Sequence, residues 1–87
     1  MAQAYLPRSL VSLFPGMPGC VQIEAASVSE LIDRLDHEWP GARFRLCDAG
    51  PVIREHINIF VDGEKSTLST ALRPDSEVRI LTAVAGG

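Results

Sequence analysis

The sequence is poor in the residues that would tie it to a metal, a membrane or a nucleic acid. It has two cysteines, Cys20 and Cys47. In the sequence they lie too far from each other and from the histidines to match the close spacing of zinc ligands. No stretch approaches the roughly 18 apolar residues of a membrane helix. The formal net charge is −3, whereas nucleic acids and acidic membranes attract basic proteins. We therefore expect no metal, membrane or nucleic acid, and two free, buried thiols.

Motifs of catalytic sites are missing as well. The sequence has no glycine-rich phosphate loop, and no serine or cysteine lies in a nucleophile motif. His37 lies among charged residues and His56 precedes an apolar stretch, so both are predicted to be surface or structural histidines. A chain of this size has little volume for a substrate pocket. The sequence therefore predicts no catalytic residue and a protein that is not an enzyme by itself.

The length and the composition predict one small soluble domain. The 87 residues have room for one core, and an apolar content of 46% is typical of globular proteins. Residues 1–16 are mildly apolar, but two prolines and Arg8 interrupt them, and they lack the basic start and long apolar core of a signal peptide. We therefore expect a mature cytoplasmic protein.

The clearest local signal is the stretch SVSELIDRLDHEW, residues 27–39. Ser27 and Glu30 have the spacing of a capping box, which predicts that a helix begins there. Pro40 and Gly41 are expected to end it. One face of this helix is charged, and the opposite face is an apolar stripe at helical spacing. The residues of the stripe are Val28, Leu31, Ile32, Leu35 and Trp39.

Three predicted strands flank this helix in the sequence. Residues 20–25, 57–61 and 76–82 alternate apolar and polar side chains, which is typical of half-buried strands. A turn at Asp62-Gly63 follows the second strand, and residues 73–76, with proline in second position, form a turn before the third. The predicted order is strand, helix, strands.

Two segments have a less regular pattern. Residues 10–14 could form a strand paired with residues 21–25, or a short helical turn. Residues 42–56 are too long for a simple connection, so we predict a compact loop or helical turn held against the core. The apolar residues expected to hold it there are Phe44, Leu46, Val52 and Ile53.

The sequence ends in Gly86 and Gly87, and a carboxylate carried by such an end can be activated by another protein. At neutral pH a terminal carboxylate is an anion and a poor electrophile. To be joined to AMP it must be held close to the α-phosphate in a narrow site, where side chains would obstruct it and glycines would not. Six extended residues reach roughly 20 Å. The terminal glycines therefore suit delivery of the carboxylate into a partner enzyme.

The sequence resembles the ThiS/MoaD family of ubiquitin-like sulfur carriers over nearly its whole length. The matching features are Leu6-Pro7, the strand at 21–25, and the stretches SVSELIDRL, INIFVDGE, DSEVRIL and AVAGG. The loop RLCDAGPVIREHINIFV resembles longer MoaD-like members, including carriers for cysteine synthesis. The resemblance implies an α+β, ubiquitin-like β-grasp fold, with a mixed sheet of four to five strands packed on one main helix. It also favours a first strand near residues 2–6 and a helical turn or loop at 8–14. We expect a domain at residues 1–81 and an extended flexible tail at 82–87.

The family also implies a mechanism. A partner resembling ubiquitin-activating enzyme, an adenylyltransferase that uses ATP and Mg²⁺, adenylates the terminal glycine. A sulfur donor protein then supplies the sulfur of a thiocarboxylate, which a biosynthetic enzyme accepts for molybdopterin, cysteine, thiamine or a related metabolite. By this resemblance Gly87 bears the sulfur, and the partner's channel holds the four residues before it. These residues are Gly86, Ala85, Val84 and Ala83. Thr82 replaces a proline often found before the tail.

Phe60 and Leu81 are candidates for a docking surface. By strand alternation they point away from the face that holds Ile59 and Ile80, so they form an exposed apolar patch unless a sheet edge or the long loop covers them. Two other functions stay open. The chain could be a protein modifier conjugated through Gly87, although its single lysine, Lys65, argues against self-conjugation. It could also be a non-covalent β-grasp interaction module.

Overall fold

The computed structural model describes residues 1–49 and 52–82, which form a five-stranded mixed sheet with a helix across one face. Two predicted site features, the terminal glycines and residues 83–85, lie outside the described residues. The strands of the sheet are β1 (Ala2–Tyr5), β2 (Cys20–Ile23), β5 (Ile57–Val61), β6 (Glu64–Lys65) and β7 (Glu77–Thr82). The helices are α1 (Arg8–Val11), α2 (Val28–Glu38) and α3 (Ala42–Leu46), and a small hairpin consists of β3 (Cys47–Asp48) and β4 (Val52–Ile53).

The strand order is β2-β1-β7-β5-β6, so the last described strand lies in the middle. β7 runs parallel to β1 and antiparallel to β5, while β1–β2 and β5–β6 are antiparallel hairpin pairs. This is the predicted α+β, ubiquitin-like β-grasp fold, with the predicted strand near the N-terminus and a short helix instead of a strand at residues 10–14.

The main helix begins where the capping box predicted. The backbone N–H of Glu30 donates to Ser27 Oγ at 3.2 Å, while Glu30 Oε1 accepts from the N–H of Ala26 at 3.0 Å. The first bond satisfies a donor that the first helical turn leaves open, and the second holds the residue before the N-cap against the helix. Four stripe residues are fully buried, and Trp39 is half-buried at the C-terminal cap. The buried four are Val28, Leu31, Ile32 and Leu35.

The core lies between α2 and one face of the sheet. Alternate residues of β1, β5 and β7 point to that face, because strand side chains alternate with a period of two. They are Ala2, Ala4, Ile57, Ile59, Val61, Val78 and Ile80. Leu10 of α1 and Leu46 of α3 close the core at its ends.

The turn between β5 and β6 has the geometry that the sequence predicted. Asp62 has φ of 50° and Gly63 has φ of 87°, the left-handed pair typical of a two-residue hairpin turn. Asp62 also exchanges two bonds with Glu77: its N–H donates to the Glu77 carbonyl at 2.8 Å, and its Oδ1 accepts from the Glu77 N–H at 2.9 Å. The turn therefore holds the first residue of β7.

Three side-chain predictions were wrong. Cys20 is exposed, because its strand directs Val21 and Ile23 toward the core and Cys20 and Gln22 away from it. In residues 42–56 the predicted helical turn exists as α3, and Leu46 is buried, but Phe44 is 71% exposed and Val52 is 52% exposed. The five-residue helix can turn only one side to the core, and the guanidinium of Arg54 covers the Phe44 ring, with its carbon 5.1 Å from the ring centroid.

Candidate functional site

The central strand β7 leads directly to the predicted reactive end of the chain. Its last described residue, Thr82, pairs with Ile57 of β5. The residues predicted for attachment and recognition, Gly87, Gly86, Ala85, Val84 and Ala83, lie beyond it and outside the described residues, so their roles and the domain boundary remain predictions.

Packing and hydrogen bonds fix the position of β7. Val78 and Ile80 are buried, and the strand is bonded to β1 on one side and β5 on the other. At its start, the backbone N–H of Arg73 donates to Ser76 Oγ at 2.9 Å, and the Ser76 carbonyl accepts from the N–H of Gln3 at 2.9 Å. Ser76 is buried, so these bonds stabilise the turn that begins the strand. The end of β7 is therefore held by a rigid sheet.

Thr82 lines a cavity of about 290 Å³ at the end of β7. Helix α1 contributes Ser9, whose Oγ donates to Thr82 Oγ1 at 3.4 Å. Leu13 lies nearby and is 48% exposed, and Arg45 and His56 are exposed polar residues of the same cavity. The end of β7 therefore borders a cavity whose lining includes an apolar side chain and a guanidinium. His56, predicted to be a surface or structural histidine, is exposed.

Phe60 and Leu81 lie on the face of the sheet opposite α2. The register pairs Phe60 with Arg79 and Leu81 with Asn58, so Phe60 and Leu81 are diagonal neighbours on adjacent strands. Leu81 is 49% exposed and Phe60 is half-buried. The structure thus brings the two side chains to one surface near the end of β7, and their docking role remains a prediction.

Two residues that the sequence did not single out extend this surface. In the register, Arg79 lies between Tyr5 of β1 and Phe60 of β5. The Arg79 guanidinium carbon lies 4.3 Å from the Tyr5 ring centroid, a cation–π contact, and Arg79 Nη2 lies 3.6 Å from an oxygen of Glu77. We call Tyr5, Phe60, Arg79 and Leu81 the outer sheet face. Strand alternation alone does not predict that these residues lie side by side, because the prediction also needs the parallel pairing of β1 with β7.

The thiols differ in their surroundings. Burial raises the pKa of the Cys47 thiol above its ordinary value, and the nearby Arg43 guanidinium offsets part of this effect. Cys20 is exposed and lies beside Tyr5 in the register. Among residues 1–49 and 52–82, no group of three potential metal ligands lies together. In the same part of the chain, no helix combines the length and the apolar content needed to cross a membrane.

Solved structures with the same fold are similar to the chain over nearly its whole length. A chain in the crystal structure of the Amycolatopsis orientalis BexX/CysO complex has a TM-score of 0.88 and 25% identity, with 100% of both chains covered. Mycobacterium tuberculosis CysO has a TM-score of 0.84 and 24% identity, covering 97% of this chain and 100% of that one. SAMP1 from Haloferax volcanii has a TM-score of 0.82 and 22% identity, covering 99% and 98%.

No curated protein sequence matches the chain. A model of the ThiS family matches residues 20–87, which include β2, α2, the central strand and both terminal glycines. The match covers well over half of the chain and agrees with the β-grasp fold described above. The protein belongs to the ThiS family of ubiquitin-like sulfur carrier proteins.

Proposed function

We propose that this protein carries sulfur as a thiocarboxylate on Gly87. A partner adenylyltransferase joins the Gly87 carboxylate to AMP with release of pyrophosphate from ATP. Sulfide or a persulfide sulfur then attacks the acyl carbon, the bond to AMP breaks, and a thiocarboxylate forms; a persulfide donor also requires a thiol to complete its reduction. The thiocarboxylate sulfur is passed to a biosynthetic enzyme that makes molybdopterin, cysteine, thiamine or a related metabolite.

The family match through Gly87 is the observation that carries this proposal. The position of β7 supports it, because a strand bonded on both sides gives the residues after Thr82 a fixed starting point. Because the residues up to Thr82 are already ordered in the sheet, a partner that binds them orders fewer residues and loses less entropy. The outer sheet face, close to the same end of β7, offers the partner apolar, aromatic and arginine side chains, which are enriched at protein interfaces.

The partners supply the chemistry in this proposal. ATP and Mg²⁺ bind to the adenylyltransferase, the sulfur comes from a donor protein, and the acceptor enzyme consumes it. The chain is itself a carrier and no catalyst, working in the cytoplasm. The similar protein CysO from Amycolatopsis orientalis forms a complex with BexX, and by analogy we propose that this carrier also binds a partner protein directly.

The proposal is tested by measuring the intact mass after incubation with a ubiquitin-activating-enzyme-like adenylyltransferase, ATP, Mg²⁺ and sulfide. Replacement of one oxygen by sulfur adds about 16 Da. Oxidation of a thiol adds nearly the same mass, and exposed Cys20 would react with the same alkylating reagents as a thiocarboxylate. The substrate should therefore be the variant Cys20→Ser, with alkylation and fragmentation used to place the sulfur on Gly87.

The control is the same variant without Gly87, which should stay unchanged. A thiocarboxylate on Gly87 that forms only with ATP supports the proposal. A covalent adduct with a whole second protein would instead identify a modifier, and an unchanged mass with a competent activating enzyme would leave a non-covalent interaction module.

A further inference from the structure

The outer edge of β2 is open for pairing with another strand. Among the residues that the structure describes, β2 is the first strand in the sheet order and bonds to β1 alone. The Leu6 N–H donates to the Gly19 carbonyl at 2.8 Å, which continues the ladder between the two strands. In an antiparallel pair the backbone groups of alternate residues point to opposite sides, so Val21 and Ile23 face β1, whereas Cys20 and Gln22 face outward. In the described part of the chain, no backbone group bonds to this outward side.

A groove runs along this edge, between β2 and α2. Its volume is about 880 Å³. Its floor is apolar: Val21 and Ile23 are half-buried on the strand, Leu35 is buried on the helix, and Trp39 is half-buried at the helix end. A strand added beside β2 would direct every second side chain into this groove, where those side chains would cover the partly exposed floor.

The rim of the groove is acidic apart from Arg34 and the exposed His37. Glu24 follows β2, and Glu38 lies at the end of α2, and both are exposed. Two other rim charges are already paired, because Asp33 binds Arg43 at 2.5 Å and Arg34 lies 3.8 Å from Glu30. Neither Glu24 nor Glu38 forms an ion pair among residues 1–49 and 52–82. The groove thus has two carboxylates available for an incoming cation.

We propose that this groove binds an extended segment of another protein, with aliphatic residues at alternate positions and lysine or arginine at its ends. Backbone bonds to Cys20 and Gln22 give affinity, as in other cases of strand addition, and the apolar floor and Glu24 and Glu38 select the sequence. A second copy of this chain is disfavoured as the occupant, because it would bring two acidic rims together and carries the same net charge of −3. The site lies at the sheet edge, two strands away from β7, and is independent of tail chemistry.

The test is an NMR titration of the ¹⁵N-labelled full chain with the acetylated peptide amide Lys-Val-Thr-Ile-Thr-Val-Lys. Amide shifts should be confined to residues 20–24 and 33–39. The counterpart with glutamate at both ends should bind about tenfold more weakly, because it loses both ion pairs and places like charges beside Glu24 and Glu38. The double variant Glu24→Lys with Glu38→Lys should reverse this preference, whereas Glu55→Lys with Glu64→Lys, which makes the same charge change elsewhere, should leave it unchanged.

A backbone variant tests the strand pairing itself. Gln22→Pro removes the outward N–H of the edge strand, a position where proline is tolerated, and should weaken binding of the basic peptide at least fivefold. If this variant fails to fold, the charge-reversal pair still decides the question. Equal binding of both peptides, shifts outside the two segments, or no shifts at about 2 mM peptide would overturn the proposal. If the β2 amide shifts depend on protein concentration in the absence of peptide, they identify self-association, and this result would also overturn the proposal. The titration uses neither ATP nor an activating enzyme, so its failure leaves the sulfur-carrier proposal intact.

Discussion

Substitutions at two neighbouring residues of the central strand should affect different properties, one the stability of the fold and the other the binding of a partner. Ile80 is 1% exposed on the core face, and Leu81 is 49% exposed on the outer sheet face. An 87-residue domain has a free energy of unfolding of roughly 4 to 13 kcal/mol. Truncating a fully buried isoleucine to alanine costs about 2 to 5 kcal/mol, because transfer energy is lost and a cavity remains. Ile80→Ala should therefore remove a large share of the stability.

Leu81→Ala should cost only about 1 kcal/mol, because half of the side chain is already in water and its removal leaves no enclosed cavity. Truncation of one of the few interface residues that carry most of the binding energy costs more than about 1 kcal/mol; at about 1 to 2 kcal/mol for Leu81, this variant should bind the activating enzyme roughly fivefold to thirtyfold more weakly. Urea unfolding measures the free energy of unfolding, and calorimetric titration measures the affinity for the activating enzyme. Val52→Ala is the matched control, since Val52 is 52% exposed on the small hairpin. If Leu81→Ala destabilises the fold as much as Ile80→Ala, the outer face is covered and the reasoning is refuted. If it binds as tightly as the parent, the docking role is wrong.

Three further predictions test the tail, the helix cap and the thiols. Deletion of Gly87, or Gly86→Phe, should abolish adenylation, measured as pyrophosphate release, while the free energy of unfolding changes by less than about 1 kcal/mol; a larger loss would indicate a packed terminus. Ser27→Ala removes the acceptor of the Glu30 N–H and should lower the free energy of unfolding by about 1 kcal/mol, whereas Ser27→Asp should restore it. At pH 8 the native protein should incorporate one alkyl group, at exposed Cys20, and a second, at Cys47, only in denaturant. Equal reactivity of both thiols would contradict the described burial. Burial also raises the pKa of the Cys47 thiol. The contribution of the protonated, buried thiol to stability is therefore present at neutral pH and should be lost as the pH rises through that raised pKa.

Local patterns in the sequence predicted most of the fold. The capping box and apolar stripe of α2, the Asp62-Gly63 turn and the three alternating strands depend on neighbours within a few residues, and the structure confirms them. The local pattern does not exclude a strand at residues 10–14, because short apolar stretches fit either structure; the family resemblance favours the helical turn that the structure has.

Features that depend on distant contacts were harder to predict. Cys20 is the exception, because strand alternation already places it on the same face as Gln22 and Glu24, and its predicted burial followed from the usual preference of cysteine for the interior. Phe44 is apolar, yet it is exposed because the short helix α3 buries Ala42 and Leu46 instead. The outer sheet face joins Tyr5 to Arg79 across a parallel pair, which no local pattern reveals.

The middle position of β7 has a consequence for the order of events during synthesis. In the described part of the chain, β7 alone joins the β1–β2 and β5–β6 ribbons in the sheet, and an isolated two-stranded ribbon is marginally stable at best in water. A chain is made from its N-terminus, so both ribbons leave the ribosome before the strand that joins them. Assembly of the sheet therefore waits for residues 77–82. By the time residues 83–87 are available to a partner, the chain already contains every strand that the sheet needs.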